Sequence, residues 1–368
     1  MAAPAAQPAA PIAVYVLLDS DSWFGPLRRE LEALSVPHEV WNLVERSVDV
    51  CGEPPAGVFL NRVSASSHTR GHREAAEYGR QVVLWLLAHG RRVLNGGLPP
   101  GAALDLELSK MKQVQALVRA GLRVPETRAV PVPLLAWPPL APPGAPETPP
   151  DYAFPAEPGV RPAREALLGA LRRLADAVED LRAPGVLKPN CGGRGVGIVK
   201  VADPEACTAA LRRAADGGPM PAWLREAWPV DGVLIVQRLI EPAPPASITR
   251  LEVVGGRLGY AQRTDVSDGA THLCTADTCS AMPRFSWRRE ITEASPIVKQ
   301  CIAFAAETGL DVAGIEYIEE AGTGLEYVYD VNPNTNYSEV VQKEAGRNLH
   351  AEVAALCAAE LGLEAAAA

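Results

Sequence analysis

The chain has 368 residues, of which 48% are hydrophobic and 21% charged, and a formal net charge of −9. That length exceeds one small core and implies two or three domains. The acidic balance argues against nucleic acid or an anionic membrane as the main partner, but still admits a nucleotide whose phosphates are screened by metal and local basic residues.

Residues 1–11, rich in Ala and Pro, lack the basic start and apolar core of an export signal and are expected to be a disordered tail. Ile12 to Leu18 is a continuous apolar run, the pattern of a strand buried on both faces. Phe24 to Leu34 can form a helix, and strands follow near His38 to Leu43 and at Gly57 to Asn61. Over 72–89, Ala75, Tyr78, Val82, Trp85, Leu86 and His89 share a helical face that ends at Gly90. Arg91 to Asn95 is a further short strand. This alternation predicts a small doubly wound sheet over residues 12–105, with ligands beyond the carboxyl ends of its strands. The polar stretch Asn61-Arg62-Val63-Ser64-Ala65-Ser66-Ser67-His68-Thr69-Arg70 leaves the third strand at that edge. It reads equally as a plain loop or as a substrate-contacting one.

Ser109 suits the N-cap of a helix reaching Ala120, with Met111, Val114, Leu117 and Val118 expected to face inward. Residues 131–162 are dense in proline and read as a linker or surface insertion. Leu167, Leu171, Leu174, Val178 and Leu181 then recur at helical spacing, predicting an amphipathic helix over 163–182.

Gly185-Val-Leu-Lys188-Pro-Asn-Cys-Gly-Gly-Arg-Gly-Val-Gly197 continues into Ile198 to Val201 and reads strand, glycine-rich loop, strand. Asn190, Gly192, Gly193 and Gly195 belong to a loop whose backbone can approach a phosphate closely, and Lys188 adjoins it as a counter-charge. The dinucleotide and Walker fingerprints need a helix after the glycines, so neither applies. Asp231 to Pro242 is a strand running into a linker, able to offer backbone N–H and C=O groups to a purine edge while Leu239 and Ile240 pack on its face, though standing alone it reads rather as an ordinary core strand and its exit. Ile248 to Val254 and Leu258 to Thr264 are strands joined by Gly255-Gly256. They carry Arg250 and Arg263, which could stabilise a developing oxyanion. The polar loop from Asp265 to Ser280 carries His272, Cys274 and Cys279. The seven cysteines are odd in number and irregularly spaced, as expected of reduced thiols in a cytoplasmic protein.

Ala313 to Tyr337 reads as a β-hairpin around Glu319-Glu320-Ala321-Gly322-Thr323-Gly324. Regular alternation puts Val328, Asp330 and Asn332 on one face and Tyr327, Tyr329 and Val331 on the other. Pairing Glu316 opposite Val328 would set it diagonal to Asp330; a one-residue slip would send it to the wrong face. Two carboxylates and an amide oxygen there suit Mg²⁺, and scattered surface acids are the plainer reading.

A lysine opening a helix, a second lysine before a glycine loop, an apolar hinge strand and a hairpin ending in Asp-x-Asn, in that order, resemble the ATP-grasp pattern. The likeness is to the branch of RimK-type glutamate ligases and glutathione synthetase, with D-alanine–D-alanine ligase more distant. It implies an α/β fold, α+β in the ATP-binding part, with an N-terminal doubly wound domain over 12–105, a small ATP-grasp subdomain over 106–240 and a C-terminal subdomain over 241–368 carrying the metal site. Lys110, with Lys112 as the register alternative, and Lys188 resemble the two phosphate-binding lysines. Gln237 to Ile240 resemble the adenine hinge, with Glu241 near the ribose, and Arg263 with Arg250 the stabilisers of the acyl phosphate and tetrahedral species. Glu316, Asp330 and Asn332 match ligands for one or two Mg²⁺, for which Mn²⁺ can substitute. Arg238 stands where many members carry Glu, Asp330 replaces a Glu, and Asn332-Pro-Asn334-Thr335-Asn336 departs from the usual Asn-x-Ser-Pro-Gly ending.

The implied activity is an ATP-dependent carboxylate–amine ligase forming an amide through an acyl phosphate. An ATP-grasp kinase or a non-catalytic nucleotide-binding module are the rivals. The implied partners are small-molecule carboxylate and amine substrates, amino-acid or peptide-like, with a homodimer allowed. Asn61, Arg62, Ser64, Arg70, His272, Asn334 and Asn336 are the candidate substrate contacts.

Overall fold

Every residue of β1 (Ala13–Leu18) is buried, as its unbroken apolar run requires. In the computed structural model, which describes residues 12–134, 161–193, 195–267 and 284–363, this strand lies inside a four-stranded sheet. Helix α1 (Gly25–Ala33) leads to β2 (His38–Asn42), and β3 (Gly57–Arg62) is followed by α2 (Ala75–Ala88) and β4 (Arg92–Leu94). The sheet order is β2-β1-β3-β4, all parallel. Val14, Val16 and Leu18 pack on Leu27 and Leu31 of α1, while Tyr15 and Leu17 pack on Val82, Val83 and Leu86 of α2. Helices on both faces make this the doubly wound sheet that the sequence predicts.

Two short helices, α3 (Ala102–Leu108) and α4 (Lys110–Arg119), come next. Ser109 caps α4, accepting the Lys112 N–H at 3.2 Å. The inward face differs from the expected one. Met111 and Val118 are exposed, whereas Leu117 is buried as expected and Gln113 and Ala116 are buried beside it. A buried glutamine is tolerated here because its amide is fully used: it donates to the Leu106 carbonyl at 2.6 Å and the Val331 carbonyl at 2.7 Å, and accepts the Val331 N–H at 3.2 Å.

The middle of the chain builds a separate antiparallel sheet of β5 (Thr127–Pro131), β6 (Gly185–Pro189), β7 (Val199–Val201) and β8 (Val233–Arg238), in the order β5-β8-β6-β7. The amphipathic helix α5 (Arg161–Leu181) packs Leu167, Leu171, Leu174, Val178 and Leu181 on Leu187, Leu234 and Val236. Helices α6 (Pro204–Ala215) and α7 (Ala222–Glu226) complete that core through Leu211 and Leu224. Most of the proline-rich stretch lies outside the described residues.

The last part forms a five-stranded antiparallel sheet, β11-β10-β9-β12-β13. Its strands are β9 (Ser247–Val254), β10 (Arg257–Asp265), β11 (Phe285–Trp287), β12 (Val312–Glu319) and β13 (Glu326–Asn332), with helix α8 (Pro296–Thr308) before β12. One sheet face, with Leu251, Val253, Ile315 and Tyr317, packs on Val298, Cys301 and Phe304 of α8. Two helices close the chain, α9 (Glu339–Ala345) and α10 (Leu349–Glu360). Leu349, Val353, Ala354 and Cys357 of α10 join one core with Val14 and Leu60 of the first sheet and Val254 and Val312 of the last. The buried side of α10 thus contributes to a core shared by both sheets.

The chain falls into two compact units: Met1–Val124 with Glu241–Ala368, and Pro125–Ile240. The parallel sheet and the five-stranded sheet therefore belong to one unit, and the β5–β8 sheet to the other.

Candidate active site

On β9, Leu251 and Val253 point to the α8 core, so Arg250 and Glu252 point to the opposite face. Register carries that polar face across the sheet: Arg250 lies beside Gln262 of β10 on one side and Glu316 of β12 on the other. Glu316 in turn sits directly opposite Asp330 of β13, where a diagonal placement was expected. The cause is a β-bulge between Glu316 and Tyr317, which leaves Tyr329 as an extra residue on β13. Because of it, Val328 and Val331 both enter the α8 core. Val328 does not share the face of Asp330 and Asn332, and the Tyr329 hydroxyl reaches Glu316 Oε2 at 2.5 Å.

Two like charges opposite one another on a sheet destabilise it unless countered. Here two cations do so. Lys110, at the start of α4, places its Nζ 2.5 Å from Asp330 Oδ1, and Arg250 donates through Nη1 to Glu316 Oε1 at 2.5 Å. Burial alone would lower the Lys110 pKa, but the Asp330 charge and hydrogen bond outweigh it and the ammonium is held above its usual value. Arg250 also donates through Nε to Glu252 Oε1 at 2.6 Å and through Nη2 to Thr335 Oγ1 at 2.6 Å. Burial works against its charge, and Glu252 and Glu316 more than restore it. The Thr335 hydroxyl in turn donates a hydrogen bond to Glu252 Oε2 at 2.8 Å. A Cβ at Gly314 would fall inside the Arg250 guanidinium, so the absence of a side chain there is what seats it. With all three nitrogens engaged, Arg250 braces Glu316.

Arg263 lies elsewhere. It pairs with Thr249 of β9, between the positions that carry Ile248 and Arg250, and so shares the α8 face. Its Nη2 reaches the Pro245 carbonyl at 3.4 Å. The structure therefore brings Arg250, and not Arg263, to Glu316 and Asp330.

The loop after β3 and the segment after β13 meet. Arg62 donates to Asn336 Oδ1 at 3.0 Å, and Asn334 Nδ2 donates to the Arg62 carbonyl at 2.9 Å. Arg70 is paired with Asp19, which also accepts the Ser64 N–H at 3.1 Å. Leu18, Asp19, Trp23, Arg62, Ser64 and Asn334 are among the residues lining a small pocket here, and Asn334 Oδ1 has no hydrogen-bond partner among the described residues. Asn61 donates instead to the Asn95 carbonyl at 3.2 Å, inside the sheet edge. His272, Cys274 and Cys279 lie outside the described residues.

In the other unit, Leu187 of β6 faces α5, so Lys188 faces away from the helices. Lys188 is buried and donates to Gln237 Oε1 at 2.9 Å, whose Nε2 donates to Thr127 at 2.8 Å. The glycine-rich loop follows directly. Asn190 is fastened to Asp231 at 2.5 Å. Gly195 and Gly197 have positive φ, and a Cβ on Gly197 would meet the Glu226 carbonyl at 2.7 Å. At the expected hinge, the Arg238 and Leu239 N–H groups are taken by the Glu126 and Pro184 carbonyls, and Ile240 is buried. Glu241 begins the other unit, where its carbonyl accepts the Ala321 N–H at 2.8 Å.

Among the described residues no group of three or more His, Cys, Asp or Glu could hold a metal ion. The candidate centre is instead two carboxylates and one carboxamide. Asn332 donates to Asp330 Oδ2 at 3.1 Å, which draws the amide to the pair. Two carboxylates and an amide oxygen, hard donors held together, fit Mg²⁺. Glu252, Thr335 and Tyr329 belong to the cluster but were not among the sequence candidates. Only Glu252 carried a signal, its two-residue spacing from Arg250 on one strand face.

No protein-family model matches the sequence, and no curated protein matches it. Solved structures do. The ATP-grasp ligase PsnB complexed with a minimal precursor shares 16% identity, with 95% of this chain and 100% of that one covered and a TM-score of 0.57. The RimK domain protein ATP-grasp from Sphaerobacter thermophilus shares 16% over 93% and 98%, with a TM-score of 0.56. D-cycloserine synthetase DcsG shares 15% over 95% and 100%, with a TM-score of 0.56. With a parallel first sheet, an antiparallel sheet carrying a lysine and a glycine loop, and a five-stranded sheet carrying paired carboxylates, the chain has the ATP-grasp fold.

Proposed function

We propose that the protein is an ATP-dependent carboxylate–amine ligase. The observation that carries this reading is the direct opposition of Glu316 and Asp330, with Lys110 against one and Arg250 against the other, within an ATP-grasp fold. The solved structures of similar fold support it, since several of them are named as ligases or synthetases.

In the proposed reaction an acid substrate's carboxylate oxygen attacks the γ-phosphorus of ATP, releasing ADP and leaving an acyl phosphate. The amine nitrogen then attacks the acyl carbon, loses a proton, and phosphate departs as the amide forms. Glu316, Asp330 and Asn332 would hold Mg²⁺, whose contribution is to neutralise charge on the phosphates. Arg250 keeps Glu316 aimed, and Tyr329 fixes its second oxygen. Lys110 offers an ammonium beside the same carboxylates. In the other unit, Lys188 supplies charge and the loop of Gly192, Gly193 and Gly195 supplies backbone N–H groups to the nucleotide. The segment Arg62 to Arg70 with Asn334 and Asn336 is assigned to the acid and amine, which are amino-acid or peptide-like in this reading.

Incubation with MgATP and a pool of amino acids and small peptides, read by mass spectrometry, tests the proposal. ADP, phosphate and a new amide are expected. A stable phosphorylated product without an amide would assign a kinase, and absence of turnover a binding module. Replacing Lys188 by Ala is expected to weaken ATP binding at least about tenfold, because a buried charge-assisted contact is lost. Calorimetric affinity within twofold of the unaltered chain would contradict that role.

A further inference from the structure

Glu107, in the last turn of α3, was not among the residues expected to act, and its geometry is unusual. Its Oε1 accepts the Ala65 N–H at 3.0 Å and its Oε2 accepts the Asn334 N–H at 3.0 Å. One carboxylate thus bridges the loop after β3 and the segment after β13. We propose that Glu107 is a positioning residue that clasps these two loops into one body, so that Ser64 and Arg70 keep a constant geometry relative to Asn334 and Asn336.

The chemistry favours a carboxylate in this place. Two backbone donors approach from two loops, and an ionised carboxyl offers an acceptor oxygen to each. A glutamine would satisfy one donor and turn its own NH₂ towards the other. Other ties between the loops exist, from Arg62 to Asn336 and from Asn334 to the Arg62 carbonyl. Losing Glu107 would therefore loosen the loops without detaching them. Burial pushes its carboxyl up to about 7, against the pull of the two N–H groups and Lys110. The clasp is best tested at a pH above 8, where the carboxylate is charged.

The inference rests on the proposed ligase reading only in that these loops are the ones assigned to the acid and amine; the clasp itself is independent of activity. Amide hydrogen exchange of the full chain, followed by mass spectrometry, compares the unaltered protein with Glu107→Gln and with Asp105→Asn on the same helix. In Glu107→Gln, peptides covering 63–72 and 333–338 are expected to exchange about tenfold faster together, with peptides from β1 and β9 unchanged. Asp105→Asn should leave both loops as they were. Acceleration of one loop alone, of neither, or of every peptide equally overturns the proposal. Where amide formation is measurable, Glu107→Gln should also raise KM for the acid or amine while KM for ATP stays constant. A chain with no ligase activity would leave the exchange result standing, so the two failures are distinguishable.

Discussion

Replacing Asp330 by Asn should reduce ADP-forming turnover by at least about 100-fold while the protein remains folded. The substitution keeps the shape and the two-residue spacing to Asn332, but removes the charge that Lys110 now balances. A neutral amide is a poor ligand for a hard cation and cannot help neutralise one. Some stability should also be lost, because the Lys110 and Asp330 side chains are only 14% and 18% exposed and the substitution removes the counter-charge of a largely enclosed ammonium. Steady-state ADP release and a thermal melt, run side by side, check both halves. Turnover within threefold of the unaltered chain would remove Asp330 from the metal centre, whatever the melt shows.

The second large effect is on stability. Arg250→Met should cost roughly 3–5 kcal/mol, because it leaves Glu252 and Glu316 with buried charge and no counter-ion. Glu252 is 0% exposed and loses its Nε donor outright, keeping only the Thr335 hydroxyl. The pH dependence has a definite sign. Burial already holds the folded-state pKa of Glu252 above its unfolded value against the pull of Arg250, and losing Arg250 leaves that rise unopposed by the guanidinium. The penalty is then absent below the unfolded pKa and develops as pH rises towards the folded one, so the variant should recover stability under mild acid. Adding Glu252→Gln should recover part of the loss at neutral pH. Urea unfolding at two pH values measures this, and a loss below about 1 kcal/mol with no pH trend would show that the guanidinium does not hold the cluster.

Much of this arrangement was legible in the sequence, and the exceptions have physical causes. Leu167 to Leu181 predicted a helix face correctly because one face of α5 is buried and nothing interrupts its period. Met111 and Val118 depart from the expected face because hydrophobicity alone does not decide burial on α4, where Gln113 goes inward once the Val331 backbone supplies its partners. Val328 misled because alternation counts every residue, and the bulge at Tyr329 adds one that the count cannot see. Arg263 is a single position away from the polar face of its strand, and only the pairing with Thr249 reveals which side it takes. Thr335 could not be found from local sequence at all, since the atoms it joins lie on a strand more than eighty residues earlier. Order of motifs proved more informative than any motif alone.

The burial of α10 between two sheets also governs how the molecule can be made. Val14 and Cys357 belong to the same core, so β1 must wait for the much later α10 before its surface is covered. The Pro125–Ile240 unit has no such wait, because its sheet and helices come from one uninterrupted stretch. Synthesis therefore passes through a stage in which the inserted unit can close while the surrounding one still exposes apolar strand faces. Closure of so long a loop is slow by its nature, and chaperone demand should concentrate in that interval.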